Sequence, residues 1–141
     1  MARTLLCEIV TPESILYTNE VEMVVATTPL GEVGILPLHV PMVTMLAPGE
    51  VRLRFGSNAA DWEYFSIAGG YMQVHEDKVI ILADAAVPVS QIDVNRSKES
   101  KALIEARIAE LPADAYDERE EMIRDLQWHE VQLKCGEKRG N

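Results

Sequence analysis

GEVGILPLHVPM, residues 31–42, carries the clearest structural information in the chain. Its glycines and prolines disfavour a regular strand or helix, because glycine permits positive φ, whereas proline fixes φ and lacks an N–H donor. The side chains between them are mostly apolar, which is unusual for a solvated loop: Ile35, Leu36, Leu38, Val40 and Met42. The segment is therefore predicted to be a rigid, apolar turn that either packs inward as a connector or contacts a partner.

Apolar residues alternate with polar ones on both sides of this turn, up to about Ala86. Leu5, Cys7 and Ile9 share one face of a strand, and a period of two is typical of half-buried strands. The run Val79–Leu82 is apolar at every position, which predicts a strand covered on both faces. Turn-forming residues separate the runs at close spacing, as in an antiparallel sandwich or barrel.

The pattern changes after Pro88 to the three- and four-residue spacing that is typical of helices. Asp93 is predicted to cap a first helix, which ends at Pro112. Asp114 is predicted to cap a second helix, which ends at Gly136. Together these two helices predict a helical hairpin.

The predicted fold class is therefore β + α, with an N-terminal antiparallel β-sandwich followed by a C-terminal two-helix hairpin. Its predicted parts are a sandwich domain (1–86), a linker (87–92), the helical hairpin (93–135) and a short tail (136–141).

The composition of the chain excludes several classes of partner. It has 141 residues, of which 48% are hydrophobic, and a formal net charge of −10. This charge argues against nucleic acid, because binding to phosphates requires clustered basic residues. No apolar run approaches the roughly 18 residues that span a bilayer, so direct membrane insertion is not predicted. Cys7 and Cys135 stand at opposite ends without metal-ligand spacing, which favours a reducing, intracellular compartment.

Motifs of catalysis and cofactor binding are missing from the sequence. Neither a glycine-rich phosphate loop with its lysine nor a nucleophilic serine elbow occurs. His129-Glu130 begins like a zinc-protease helix, but Leu133 stands where the second histidine is required. His39 and His75 lie in separate turns without other metal-ligating residues at a suitable spacing. The chain is therefore predicted to be non-catalytic, with no cofactor and no metal.

Four segments, taken in order, are similar to a known family. They are residues 31–42, AGGYMQV at 68–74, KVIILADA at 78–85 and IDVNR at 92–96. In their order and spacing they resemble the epsilon subunit of the rotary F-type ATP synthase, over nearly the whole chain. One departure is Leu38, where the family usually has glycine.

The resemblance implies a function and a set of partners. The family's subunit rotates with the central stalk, which couples transmembrane proton flow to ATP synthesis, and its C-terminal helices can inhibit ATP hydrolysis. Its sandwich binds the gamma subunit, and its helices contact the alpha and beta subunits. The residues that match the family's turn facing the c-ring and stalk are Glu32, Leu38, His39 and Met42.

The resemblance also implies a peripheral location, on the cytoplasmic face of the bacterial plasma membrane. The stromal face of the plastid thylakoid is the alternative location. The identity of the coupling ion, proton or sodium, stays open.

ATP is the one small ligand that the resemblance implies. Asp93 and Arg96 match the family's nucleotide-contacting signature, in which the carboxylate would accept bonds from the nucleoside and the guanidinium would pair with phosphate. The alternative is that Asp93 only caps the helix and Arg96 is solvated. Because Ser97, Val87 and Leu103 depart from the ATP-binding pattern, any ATP contact is predicted to be weak and regulatory.

The aromatic residues of the sandwich suggest a second, alternative function. Trp62, Tyr64 and Tyr71 could form an aromatic platform in a free-standing ligand-binding β-sandwich. Alternatively, these residues fill the core or an edge of the sandwich. The charged helical hairpin favours the stalk function over the ligand-binding function, because a simple ligand-binding sandwich does not require a hairpin of this kind.

Overall fold

The computed structural model describes residues 3–140 and contains ten strands followed by two long helices. The strands are β1 (Leu5–Val10), β2 (Ile15–Val21), β3 (Met23–Thr28), β4 (Gly31–Ile35), β5 (Met42–Leu46), β6 (Gly49–Arg54), β7 (Trp62–Ile67), β8 (Gly70–His75), β9 (Lys78–Ala83) and β10 (Ala86–Pro88). The helices are α1 (Val94–Glu110) and α2 (Tyr116–Lys138).

The strands form two five-stranded sheets that pack face to face. Sheet A has the order β2-β1-β9-β8-β5, and sheet B has the order β10-β7-β6-β3-β4. The paired strands run antiparallel, except β1 and β9, which run parallel. The predicted sandwich followed by a helical hairpin is thus confirmed, with one parallel pair that the sequence pattern did not indicate.

The hydrophobic core lies between the two sheets. Leu5, Cys7 and Ile9 project inward from β1 and are at most 1% exposed, as their alternation predicted. Inward side chains of sheet B, such as Val51 and Leu53, are fully buried opposite them. Burying one such leucine or isoleucine side chain contributes about 2 kcal/mol to folding, so the sandwich has a substantial core of its own.

The prediction that residues 31–42 form a single irregular turn is wrong in part. Gly31–Ile35 is strand β4, paired with β3, and Met42 begins β5, so the irregular segment is confined to residues 36–41. The glycines are compatible with a strand here because pairing with β3 supplies the backbone hydrogen bonds of β4. Gly31, with φ 124, closes the preceding turn.

The first helix begins as predicted, whereas the second does not. The Asp93 carboxylate accepts the Arg96 N–H at 3.1 Å and so caps α1. Helix α2 begins at Tyr116 rather than after Asp114, and its N-cap residue makes no side-chain cap. The reason is a turn closed by a hydrogen bond from the Ala115 N–H to the Pro112 carbonyl, at 3.1 Å, which delays the helix by one residue.

The predicted end of α2 at Gly136 is also wrong. The helix continues to Lys138, and Gly140, with φ +80, follows its end. Gly136 is buried instead, because α2 approaches Ile92 and the first residue of α1, Val94, closely at this point.

Residues 87–92, predicted as a linker, include the last two residues of β10 and a short 3-10 turn (Val89–Gln91). Within residues 3–140, no helix combines the length and the hydropathy needed to cross a membrane.

Candidate functional site

The outer face of sheet A carries a row of apolar side chains. Strand pairing sets Met45 beside Tyr71, and Tyr71 beside Leu82. The row continues through Val10 on β1 to Ile15 on β2. Paired residues on one face of a sheet are close enough for their side chains to touch. These five residues, which we call the apolar row, therefore form a continuous strip across sheet A.

The apolar row is exposed in the isolated chain. Met45, Tyr71 and Leu82 are 56%, 53% and 49% exposed, and Val43 extends the apolar surface along β5. The prediction that Val79–Leu82 is covered on both faces is thus wrong for the chain alone, because α2 packs on strands of sheet B instead. Contiguous apolar surface of this kind is typical of an interaction site.

A second apolar surface lies at residues 36–40, which we call the 36–40 tip. Leu36, Leu38 and Val40 are 50%, 70% and 69% exposed. Asp77 holds this segment in place, because its carboxylate accepts the Leu38 N–H at 2.7 Å and pairs with Arg3 at 2.9 Å. The hydrogen bond from the Leu38 N–H, and to a smaller extent the one from Arg3, lower the pKa of the Asp77 carboxyl. The tip is thus a shaped and anchored turn.

Replacing Leu38 with glycine is expected to stabilise the chain. Leu38 has φ 67, in the left-handed region that costs an L-residue about 1–2 kcal/mol. Glycine avoids this cost but loses more entropy on folding, so the expected net gain in free energy of unfolding is about 0.5–1 kcal/mol. Urea denaturation of Leu38→Gly measures it, with Leu38→Ala as the control that keeps the strain. Equal gains in both variants would contradict the explanation by backbone strain.

The structure separates the four residues that match the family's docking turn. Leu38 and His39 belong to the 36–40 tip, and Met42 is half-buried against the core at the start of β5. Glu32 lies toward the far end of β4, roughly 10 Å from Ile35 along the strand. Its carboxylate pairs with Arg52 at 3.2 Å. A joint role of Glu32 and the tip in docking stays a prediction.

The three aromatic residues of the predicted ligand platform do not share a surface. Tyr71 lies on β8 in sheet A, whereas Trp62 and Tyr64 lie on β7 in sheet B. The guanidinium groups of Arg54 and Arg139 lie 6.0 Å and 3.8 Å from the ring centroids of Trp62 and Tyr64. The hypothesis of one aromatic platform is therefore wrong, because its members stand on opposite sheets.

The C-terminal end of α2 lies on sheet B and is held there by Glu50 of β6. The Arg139 guanidinium donates two hydrogen bonds to the Glu50 carboxylate, at 2.6 Å and 2.9 Å. The Lys138 ammonium lies 3.8 Å from the same carboxylate. Sequence reasoning missed this contact, because Glu50 and Arg139 are 89 residues apart and each resembles an ordinary surface charge.

The two cysteines are buried in different parts of the molecule. Cys7 lies in the sandwich core, and Cys135 lies near the end of α2, where it packs against Val89 and Ile92. Burial, with a smaller effect of Glu8, raises the pKa of Cys7 to about 12. Burial also raises the pKa of Cys135, against a smaller lowering effect of the Ser66 hydroxyl. Both thiols are therefore expected to react slowly while their surroundings stay packed.

Asp93 and Arg96 line a shallow cavity between the start of α1 and the body of α2. The other lining residues are Gln91, Ile92, Ser97, Ser100, His129 and Gln132. The cavity volume is about 240 Å³, below the roughly 300–1,000 Å³ of ligand pockets. The structure thus brings Asp93 and Arg96 together, but the carboxylate already caps α1, and the ATP contact stays a prediction.

The architecture and its surfaces define a class of small β-sandwich protein with a docked helical hairpin and a bare, apolar sheet face. Residues 4–89 match the family described as ATP synthase, Delta/Epsilon chain, beta-sandwich domain. The chain belongs to this family.

Similar proteins agree with this assignment. The ATP synthase epsilon chain of Alkalihalophilus pseudofirmus is 41% identical over 81% of this chain and 84% of that protein. The ATP synthase epsilon chain of Priestia megaterium is 42% identical over 75% of this chain and 77% of that protein. The family resemblance inferred from the four sequence segments is thereby confirmed.

Solved structures share the fold. A chain of the Euglena gracilis mitochondrial ATP synthase (OSCP/F1/c-ring in rotational state 1) matches 94% of this chain, and 81% of its own length, with a TM-score of 0.75 and 22% identity. A chain of the Tetrahymena thermophila mitochondrial ATP synthase (central stalk/c-ring) matches 95% of this chain and 97% of its own length, with a TM-score of 0.64 and 16% identity.

Proposed function

We propose that this chain is a central-stalk subunit of a rotary F-type ATP synthase and couples proton flow across a membrane to ATP synthesis. The apolar row carries this proposal, because a chain that stayed alone in water would expose it permanently. The family of the chain supports it, since the relatives are epsilon chains of ATP synthases. The chain itself has no catalytic role in this proposal.

The gamma subunit is the proposed occupant of the apolar row. The row crosses the five strands of sheet A, so a partner that covers it contacts a stiff platform rather than a loop. A preformed surface loses little conformational entropy on docking, and a stiff coupling suits a subunit that turns with the stalk.

The 36–40 tip is the proposed contact with the c-ring. Its apolar side chains are exposed while its backbone is anchored to Asp77, which is a favourable combination for docking against the loops of a neighbouring ring. His39 belongs to the same segment and is proposed to take part. This contact would place the chain peripherally on the cytoplasmic face of the membrane, as expected for a bacterial enzyme.

The helices are proposed to contact the alpha and beta subunits and to restrain ATP hydrolysis. Helix α2 is acidic over most of its length, so it would repel acidic segments of a partner. The basic residues of α1 are therefore proposed to make these contacts. These residues are Arg96, Lys98, Lys101 and Arg107.

Reconstitution tests the proposed function. Enzyme depleted of this subunit is expected to hydrolyse ATP without coupled synthesis, and the purified chain should restore proton-driven synthesis. If the added chain neither binds the depleted enzyme nor restores synthesis, the stalk function is wrong.

ATP is expected to bind the isolated chain weakly. The cavity at Asp93 and Arg96 is small, and the exposed Leu103 supplies no second basic group for the phosphates. Calorimetric titration is expected to show no saturation at micromolar ATP, and Arg96→Gln should give the same curve as the control Arg107→Gln. Saturation at micromolar ATP that Arg96→Gln abolishes would contradict this expectation.

A further inference from the structure

Among the methionines that the structure describes, Met45 is the one whose side chain is exposed, at 56%. Met72 is fully buried in the core, and Met23, Met42 and Met122 are half-buried. Met45 stands on β5, the edge strand of sheet A, so only β8 pairs beside it within the sheet. A small reagent can therefore approach this side chain both from the face of the sheet and from its open edge.

Met45 also forms one end of the apolar row. Strand pairing places it beside Tyr71, and Tyr71 beside Leu82. Val43, two residues earlier on β5, lies on the same face and is likewise exposed. Strand β5 contains no ionisable side chain, so it offers no charge that would pair with a polar group created at position 45.

The sulfur of methionine is readily oxidised by hydrogen peroxide. Its lone pair attacks one peroxide oxygen, the O–O bond breaks, an S–O bond forms, and the second oxygen leaves as water after proton transfer. The sulfur loses two electrons and becomes the sulfoxide, which is polar. A cysteine, in contrast, must first form its thiolate. Burial raises the pKa of both Cys7 and Cys135, so peroxide is expected to act first on Met45.

We propose that Met45 is an oxidation-sensitive site that regulates docking of the free chain. Its sulfoxide weakens the contact between the apolar row and the gamma subunit, and reduction of the sulfoxide restores that contact. This inference rests on the proposed function, in which the gamma subunit covers the apolar row. The physical reason is that the sulfoxide oxygen would be buried in an apolar contact, where it loses its hydrogen bonds to water.

The same geometry protects the subunit once it is assembled. A partner that covers the apolar row covers Met45 as well, so peroxide reaches this side chain mainly in chains that are not yet bound. The change is reversible, because methionine sulfoxide reductases act on both epimers of the sulfoxide. Oxidation would therefore delay assembly of new subunits without affecting the assembled ones.

Treatment of the free chain with dilute hydrogen peroxide, followed by peptide mass spectrometry, measures oxidation at each methionine. Met45 is expected to be converted at least about tenfold faster than Met72, because susceptibility follows exposure. The half-buried methionines should fall between these two rates. Equal rates at Met45 and Met72 would overturn the proposal, because exposure would then not select the site.

Binding to purified gamma subunit is measured after the peroxide has been removed. The oxidised chain is expected to bind about tenfold more weakly than the untreated chain, and incubation with both sulfoxide reductases should restore its affinity. Met45→Leu removes the sulfur, so its affinity after peroxide should equal its own affinity before treatment. Met122→Leu, on α2 and away from sheet A, is the matched control and should lose affinity on treatment as the unchanged chain does.

The outcomes separate this inference from the proposed function. If the untreated chain bound the gamma subunit and the oxidised chain bound it equally tightly, only the inference would be wrong. An equal loss of affinity in Met45→Leu and in the unchanged chain would also overturn it, because another residue would then be responsible. If the untreated chain failed to bind the gamma subunit, the proposed function would be wrong, and the regulatory role of Met45 with it.

Discussion

Replacing Tyr71 and Leu82 with aspartate is expected to reduce the affinity of the chain for the gamma subunit by about 100-fold or more. The two residues are paired neighbours at the centre of the apolar row, on β8 and β9. Hot-spot residues near the centre of an interface, among which tyrosine is common, cost about 2 kcal/mol or more when truncated, and each buried, unpaired carboxylate adds a desolvation cost. Titration of purified gamma subunit with labelled chain measures the loss.

The matched control for this variant is Leu103→Asp. Leu103 is 61% exposed on α1, away from sheet A, so the same change of an exposed leucine should leave gamma binding unchanged. Both variants should melt within a few degrees of the unchanged chain, because substitutions at exposed positions usually change stability by about 0.5 kcal/mol or less. If the double aspartate variant bound the gamma subunit with unchanged affinity, sheet A would not be the surface that binds it.

Gly70→Ala is expected to destabilise the sandwich by about 4 kcal/mol, from a few kcal/mol of steric overlap and a similar conformational cost. Gly70 has φ +146, and an added Cβ would overlap the carbonyl oxygen of Leu82. The overlap is with backbone of the paired strand β9, so no side-chain rotation relieves it. Urea denaturation, monitored by fluorescence of the two tryptophans, measures the loss.

Gly31→Ala separates the two causes of this loss. Gly31 has φ +124 at the β3–β4 turn, but no atom lies within 4 Å of an added Cβ. Its substitution should therefore cost only the conformational part, about 1–3 kcal/mol. If Gly31→Ala and Gly70→Ala destabilised the chain equally, close approach of the backbone would not be the reason for glycine at position 70.

The sequence predicted those parts of the structure that depend on local chemistry. Alternation at Leu5, Cys7 and Ile9 indicated the buried face of β1, because a half-covered strand imposes a period of two. Asp93 was predicted to be a helix cap from its position in the sequence. In the structure its carboxylate accepts a hydrogen bond from the Arg96 N–H. Capping involves neighbours in sequence, so one sequence suffices to predict it.

The errors arose where contacts distant in sequence decide the structure. Glycine is common at helix ends, and Gly136 was predicted to be one. Its close packing against Ile92 and Val94 is the actual reason for glycine at this position. Residues 31–35 contain two glycines and still form a strand, because pairing with β3 supplies their backbone hydrogen bonds. No local rule predicts either outcome.

The candidate surfaces were predictable to different degrees. The apolar character of Leu38 and its neighbours was evident, and residues 31–42 were therefore predicted either to pack inward or to contact a partner. Leu38 is exposed in the structure, and its contact with a partner stays a prediction. The apolar row was not evident, since its members come from five strands and become neighbours only through strand order. The pair of Glu50 and Arg139 likewise required the fold, because it joins β6 to the end of α2.

The most direct test of the proposed stalk function is affinity capture of the chain from its native membranes, with identification of its companions. A tagged chromosomal copy, solubilised in mild detergent, is expected to recover the gamma, alpha and beta subunits and the c-ring in stoichiometric amounts. The tagged double aspartate variant at Tyr71 and Leu82 should recover them poorly. Recovery of the unchanged chain alone, from membranes that contain intact ATP synthase, would contradict the account.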